Sequence, residues 1–230
     1  MRTRDLIEQL SHRVEPVKPL APPHVRFGVW LVAALLCVGA GVGLSSLRQD
    51  LGQIVDSPVF LLETVLIGLT AVFSAGSAFV LSVPGTRGRL TGTLPPLAAA
   101  LWGITLLVIL GIDERYATGF AVEFLGGEGC LARILILGVL PGVLLFIMIR
   151  QAAPLDDRQT GILAALAVAA LGALGLQFVC LNNHPVHLFL WHFLPVVAVA
   201  LLGSLLGRWF LNWSGTVSPN KGAKGRDVRA

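Results

Sequence analysis

Six long runs of apolar residues, separated by short polar stretches, dominate the sequence. They cover roughly residues 27–45, 58–83, 93–112, 129–149, 160–181 and 188–210. Each run is close to the roughly 20 residues that an α-helix needs to cross a hydrocarbon core of about 30 Å. The strands of a membrane barrel would instead appear as alternating segments of about ten residues. The pattern therefore predicts an all-α membrane protein, a bundle of six transmembrane helices.

The composition agrees with this prediction. The chain is 55% hydrophobic and 13% charged, whereas soluble domains carry roughly 25% charged residues. The six runs occupy most of the 230 residues and leave no room for a soluble domain. We expect an N-terminal segment over 1–26, a transmembrane domain over 27–211 and a basic tail over 212–230. The tail is rich in Gly, Ser, Lys and Arg, and we predict that it is disordered.

The distribution of basic residues predicts the orientation of the bundle. If the N-terminus is cytoplasmic, all but three of the 17 Lys and Arg residues lie on the cytoplasmic side, and Arg48, Arg115 and Arg133 are the exceptions. Positively charged loops stay inside in membrane proteins. With an even number of spans, both termini are therefore predicted to be cytoplasmic.

The N-terminal segment carries a short amphipathic pattern. A helix starting at Thr3 would place Leu6, Ile7, Leu10 and Val14 on one face. The prolines that follow end the helix and make an extended tether to the membrane. Because so short a helix is marginal in water, its apolar face needs either a protein partner or the lipid surface.

Ionisable residues are rare inside the spans. Glu63 and Arg133 lie near the outer ends of the second and fourth runs, where they could form a partly buried ion pair or reach the interface separately. No span carries a charge near its midpoint, which argues against an ion-coupled transporter.

Two pairs of glycines have the spacing that lets helices approach closely. These pairs, Gly39 with Gly43 and Gly203 with Gly207, are predicted to support packing within the chain rather than dimerisation.

Cysteines provide the main candidate chemistry. Cys37 lies among apolar residues and is interpreted as a small core residue. Cys130 and Cys180 lie at equal distances, about 30 Å of helix, on either side of the loop 151–159. The two thiols should therefore be level at the outer surface, where an oxidising compartment permits a disulfide. The spacing alone does not decide between a pair and two unrelated cysteines.

Histidines follow Cys180 in the outer loop and the sixth run. Thiolates and imidazoles suit soft and borderline metals, but His184 and His187 are separated by Pro185 in a spacing that is not typical of zinc sites. We therefore predict no metal site, with His184 and His187 as the candidates if one exists. No catalytic or cofactor-binding motif occurs in the sequence, so we predict no enzymatic activity and no cofactor.

The whole chain resembles the NrsF-type membrane anti-sigma factors, which are six-helix negative regulators of extracytoplasmic-function sigma factors. The segments that carry the resemblance are Thr3-Arg-Asp-Leu-Ile-Glu-Gln-Leu10, Pro16-Val-Lys-Pro-Leu20, Pro95-Pro96 at the start of the third span, Cys180-Leu-Asn-Asn-His-Pro185 and Leu205-Leu-Gly-Arg-Trp209. Their order and spacing along the chain are the stronger part of the likeness.

The resemblance implies a location, a partner and a signal. The protein would be a multi-pass component of the bacterial inner membrane, in contact with membrane lipid and without direct contact to nucleic acid. Its N-terminal segment, through Leu6, Ile7, Leu10 and Val14, would hold an extracytoplasmic-function sigma factor. The periplasmic pair of Cys130 and Cys180 would sense heavy-metal or oxidative stress and release that sigma factor.

Other functions remain open at this point. A small metal or solute transporter could use the outer cysteines and histidines for capture, although polar ligands near the middle of the membrane are missing. A membrane thiol-redox protein could use Cys130 and Cys180 as a redox pair, although the sequence has no Cys-x-x-Cys motif. The N-terminal helix could also bind lipid only.

Overall fold

The computed structural model describes residues 3–11, 19–86, 88–112 and 127–211, and these are almost entirely helical. The helices, in chain order, are α1 Thr3–Ser11, α2 Pro23–Leu44, α3 Leu51–Ile54, α4 Pro58–Leu81, α5 Arg89–Ile112, α6 Glu128–Arg150, α7 Asp157–Gln177 and α8 Pro185–Phe210. Helix α8 contains a π-helical segment, Leu188–Phe193. No strand occurs in the described ranges.

Six of these helices are long and apolar enough to cross a membrane: α2, α4, α5, α6, α7 and α8. The predicted all-α, six-span architecture is therefore confirmed, with helix ends within a few residues of the apolar runs. The cytoplasmic location of the termini stays a prediction. Val14, the proline tether up to residue 18 and the tail over 212–230 lie outside the described residues.

The starts of several spans follow from local chemistry. Proline occupies the first turn of α2, α4 and α8, at Pro23, Pro58 and Pro185. There its missing amide hydrogen removes no helical hydrogen bond, and its fixed φ favours the helix. Helix α7 is capped instead by Asp156, whose carboxylate accepts a hydrogen bond from the Gln159 amide at 3.0 Å.

Helix α7 is the centre of the bundle. It packs against α8, α4, α6 and α2, and nearly all of its residues from Thr160 to Gln177 are buried. Its interior is built mainly of alanine and glycine, and such small residues allow neighbouring backbones to come close. Within the bilayer the hydrophobic effect does not drive helices together, because lipid tails are as apolar as the helix surfaces. Close packing therefore holds the helices to one another.

Glycines form the closest contact, between α7 and α8. A Cβ atom placed on Gly203 would lie 2.5 Å from the carbonyl oxygen of Gly161, and Gly207 is equally constrained by the backbone of α7. The predicted packing role of Gly203 and Gly207 is therefore confirmed. The same prediction is wrong for Gly39 and Gly43, because nothing lies within 4 Å of a Cβ placed on either.

Consecutive spans run in opposite directions, which gathers several helix ends on one side. The ends of α2, α5 and α7 lie there, together with the starts of α4, α6 and α8. Cys130 and Cys180 lie on this side of the bundle, and we therefore call it the cysteine end. The start of α2, which leads back to α1 along the chain, lies at the opposite end.

Candidate functional site

Two thiols face each other at the cysteine end. Cys130 lies in the first turn of α6, and Cys180 follows the last residue of α7 by three positions. Their Sγ atoms are 3.8 Å apart, and both side chains are buried. The structure thus brings together the two cysteines predicted to be level. They are free thiols here, since a disulfide would require a separation of about 2.05 Å.

Histidine from α8 completes the cluster. The Nε2 atom of His187 lies 3.4 Å from the Sγ of Cys130 and 3.5 Å from the Sγ of Cys180. One ligand atom each from Cys130, Cys180, His187 and His192 falls within 4.8 Å of the others. We call these four buried residues the Cys/His cluster. His184, the other candidate ligand that the sequence offers, is not part of it.

The π-helical segment explains why His187 and His192 converge. In an α-helix two residues five positions apart point about 140° away from each other, at 100° per residue. Hydrogen bonds between residues five positions apart, which define a π-helix, wind the chain more widely and bring such residues nearly into line. The rings of His187 and His192 have centroids 5.6 Å apart. Pro195, which lacks an amide hydrogen, lies two residues beyond the π-helical segment and interrupts the α-helical hydrogen bonding there.

Hydrogen bonding makes one of the thiols acidic. The hydrogen bond between the two cysteines lowers the pKa of the Cys180 thiol because it stabilises the thiolate form. Burial acts in the opposite direction, whereas the nearby imidazoles of His187 and His192 add to the lowering. The thiolate is the form that reacts with oxidants and binds metals, so the cluster favours both kinds of chemistry.

A cavity of about 540 Å³ opens onto the cluster. Cys130, Cys180 and His187 line it, together with Arg48 and Arg133. The volume is within the range of about 300–1,000 Å³ typical of small-molecule sites. A small ion or reagent can therefore reach the two thiols.

Arg48 links two chain segments at the cysteine end of the bundle through hydrogen bonds. Its guanidinium donates two hydrogen bonds of 2.8 Å to Asp50 and one of 3.0 Å to the amide oxygen of Asn183. Its backbone amide donates to the carbonyl oxygen of Phe178 at 3.1 Å. We call these contacts the Arg48 clasp. They join the loop after α2 to the segment that carries Cys180.

The ion pair in this clasp is insensitive to pH near neutrality. The hydrogen bonds from Arg48 hold the pKa of Asp50 below its ordinary value of 3.8. A carboxyl group with a depressed pKa stabilises the folded state at pH values above its ordinary pKa. This stabilisation is lost only as the pH falls through the lowered pKa. The clasp therefore stays intact across the neutral and mildly acidic range.

The structure does not bring Glu63 and Arg133 together, in contrast to the ion pair that the sequence suggested. Glu63 is 3% exposed and accepts a hydrogen bond from the Trp102 indole at 3.3 Å. It also interacts electrostatically with His192. Arg133 is exposed and lines the cavity. The difference arises because Glu63 faces the interior between α4 and α5, whereas Arg133 lies on the outer surface of α6.

The N-terminal helix forms over Thr3–Ser11 and contains three of the four predicted docking residues, Leu6, Ile7 and Leu10. Ile7 is 61% exposed. A docking role for this helix stays a prediction, and Val14 lies outside the described residues.

Comparison with known proteins gives two agreeing matches. The sequence profile of a family described as "Negative regulator of sigma F" matches residues 10–213. The Anti-sigma-F factor NrsF of Caulobacter vibrioides (strain NA1000 / CB15N) is 32% identical over 222 residues, which cover 93% of this chain and 100% of that protein. No solved structure matches the chain.

Proposed function

Because the chain belongs to the NrsF family of negative regulators of sigma F, we propose that it holds a sigma factor at the membrane and releases it when the Cys/His cluster changes chemically. As a member of this family the protein is an anti-sigma factor, a regulatory protein and not an enzyme. Beyond the family assignment, we propose the class of the partner, the segment that binds it and the residues that sense the signal.

The proposed partner is a sigma factor of the extracytoplasmic-function class, and the proposed location is a bacterial inner membrane. Helix α1 supports a docking role because it is a separate helix with an exposed apolar residue, Ile7. Amphipathic helices of this kind bind in apolar grooves of partner proteins. Leu6, Ile7, Leu10 and Val14 would be the contacting residues.

The single observation that carries the sensor half is the 3.8 Å separation of two buried thiols beside an open cavity. At this distance a small movement suffices for an oxidant to join the two sulfurs or for a metal to bind both. Heavy metals and thiol oxidants are thus the signals we propose, acting on Cys130 and Cys180 from the periplasmic side.

The Arg48 clasp supplies a physical route from the sensor to the docking helix. A chemical change at Cys180 displaces the segment that Arg48 holds through Asn183 and Phe178. Arg48 follows the end of α2 by four residues, so α2 is displaced in turn. The other end of α2 leads to α1, and its movement would alter how that helix is presented.

The proposed docking role of α1 predicts that charges on its apolar face abolish sigma factor binding. We expect the full-length variant with Ile7→Asp and Leu10→Asp to lose most sigma factor binding, because two charges would enter an apolar contact. The measurement is copurification of the sigma factor with the detergent-solubilised protein from the native host, quantified by mass spectrometry.

The control is the variant with Gln9→Asp and His12→Asp, which adds the same charge outside the apolar face of the helix that the sequence predicts. It should retain the sigma factor. The docking proposal is wrong if both double variants retain the sigma factor. It is also wrong if no sigma factor copurifies with the unmodified protein or with either variant, and α1 binds liposomes instead.

A further inference from the structure

We infer that Cys130, Cys180, His187 and His192 form a tetrahedral binding site for a thiophilic divalent cation such as Zn²⁺. The inference deepens the proposed function and rests on it for the consequence of binding. The binding itself is measurable without any sigma factor.

The distances within the cluster already match a metal site. With Zn–S bonds of about 2.3 Å and Zn–N bonds of about 2.0–2.1 Å, a tetrahedron has S···S edges of about 3.8 Å and S···N edges of about 3.6 Å. The two sulfurs are 3.8 Å apart, and the Nε2 atom of His187 lies 3.4 and 3.5 Å from them. Three ligand atoms therefore form a triangular face of the right size before any metal binds.

His192 supplies the fourth ligand. It is fully buried, and neither of its ring nitrogens makes a hydrogen bond of ordinary geometry with the described residues. Buried polar atoms nearly always have a partner. Since a ligand atom of His192 lies within 4.8 Å of the other three, a cation at the centre of the cluster would provide that partner.

The ligand set determines which cations fit. Two thiolates and two imidazoles make up a common coordination shell of structural zinc sites. Soft sulfur ligands select such cations against Mg²⁺ and Ca²⁺, which prefer oxygen. The cavity that reaches Cys130, Cys180 and His187 provides the entry path.

Glu63 is the buried acidic residue that acts on His192. It is buried, interacts electrostatically with His192 and is held in place by the indole of Trp102. A carboxylate that accepts a hydrogen bond from the second ring nitrogen of a metal-binding histidine fixes the orientation of the ring and raises its affinity for the metal. Glu63 would take this role once His192 binds metal. Glu63 is thus a positioning residue, and its presence inside a span has a functional reason.

Binding involves no change of oxidation state. The two thiols lose their protons to solvent as the metal–sulfur bonds form, and the histidines bind in their neutral form. Up to two protons are therefore released for each Zn²⁺ bound, which makes the affinity increase with pH.

The test is metal titration of the full-length protein, purified in detergent after chelator treatment. We expect one Zn²⁺ per chain. Co²⁺ as a probe should produce the intense visible bands of tetrahedral coordination and a thiolate-to-cobalt charge-transfer band.

The variants Cys130→Ser, Cys180→Ser, His187→Ala and His192→Ala should each abolish the charge-transfer band or shift it. Glu63→Gln should weaken Zn²⁺ binding by about 10- to 100-fold, as loss of an outer-shell partner does. His184→Ala and Cys37→Ser are the matched controls, one in the same loop and one a cysteine outside the cluster, and both should bind as the unmodified protein does.

A stoichiometry of zero, or a cobalt spectrum without thiolate or tetrahedral features, overturns the inference on the unmodified protein alone. Equal affinities of His192→Ala and His184→Ala would also overturn it. If metal binds as described but sigma factor release does not depend on Cys130 and Cys180, the sensor proposal fails and the metal site stands. If release requires the cysteines but no metal binds, the sensor proposal stands and this inference fails.

Discussion

At the scale of single residues, Arg48 is a buried charge at the cysteine end of the bundle. It is 4% exposed, although it lies on the side of the bundle that the sequence predicts to be poor in basic residues. A charge this deeply buried is stable only with partners, and removing one of them leaves an uncompensated ion. Asp50 and Asn183 are those partners, so the residue has a structural reason to break the charge pattern.

Replacing this residue should separate sensing from release. We expect Arg48→Gln to keep sigma factor binding but to release roughly half as much sigma factor or less at a fixed dose of a thiol oxidant, since residues that carry coupling change it by about 0.5–2 kcal/mol. The measurement is sigma factor released from the purified complex. Arg133→Gln, an exposed residue in the same cavity, should behave as the unmodified protein does, and an undiminished response of Arg48→Gln would exclude the clasp as the route.

Sequence patterns identified some residues of the site and missed others for physical reasons. Cys130 and Cys180 could be paired because helix rise alone places them at one level. His192 could not be added to them, because it lies five positions after His187 and only a π-helical turn aligns two such residues. For Glu63 and Arg133 the sequence allows an ion pair or two separate interfacial positions, because both lie near the same end of the bundle, and the rotation of α4 and α6 about their axes decides against the pair.

At the scale of helices, the contact between α7 and α8 is the tightest in the described bundle. Gly161 on α7 faces Gly203 and Gly207 on α8, with backbone against backbone. This contact holds α8, and with it His187 and His192, against the central helix. The geometry of the Cys/His cluster therefore depends on residues far from it along the helix axis.

A single methyl group should disturb this contact. We expect Gly203→Ala to destabilise the protein by about 1–3 kcal/mol, the usual cost of overpacking, because the new Cβ would meet the backbone of Gly161. Gly39→Ala is the control: it has open space and should be neutral or gain up to about 1 kcal/mol of helix propensity. Unfolding in SDS of the detergent-solubilised variants measures both, and equal stabilities would contradict the packing described.

The spans themselves were predictable to within a few residues, because apolar run length and the positions of Pro23, Pro58 and Pro185 set them. Which helices pack against one another was less predictable from the sequence. Gly39 with Gly43 and Gly203 with Gly207 have the same spacing in the sequence, but only the second pair packs against another helix. Spacing shows that a close approach is feasible, and the presence of a complementary surface decides whether it occurs.

At the scale of the whole molecule, the proposed sensor and the proposed docking helix belong to opposite ends of α2. A chemical event at the cysteine end changes sigma factor binding only if it favours one of two arrangements of the bundle over the other. The Arg48 clasp and the central position of α7, which contacts α2, α4, α6 and α8, provide connections through which such a preference can act. The family and the span count followed from the sequence, whereas these connections required the structure.

The most direct test reconstitutes the complex of full-length protein and sigma factor in lipid nanodiscs and measures sigma factor released on addition of Cd²⁺ or a thiol oxidant. The account predicts release from the unmodified protein and from Cys37→Ser, and retention by the variant with Cys130→Ser and Cys180→Ser. Release from the double variant equal to that from the unmodified protein would contradict the account.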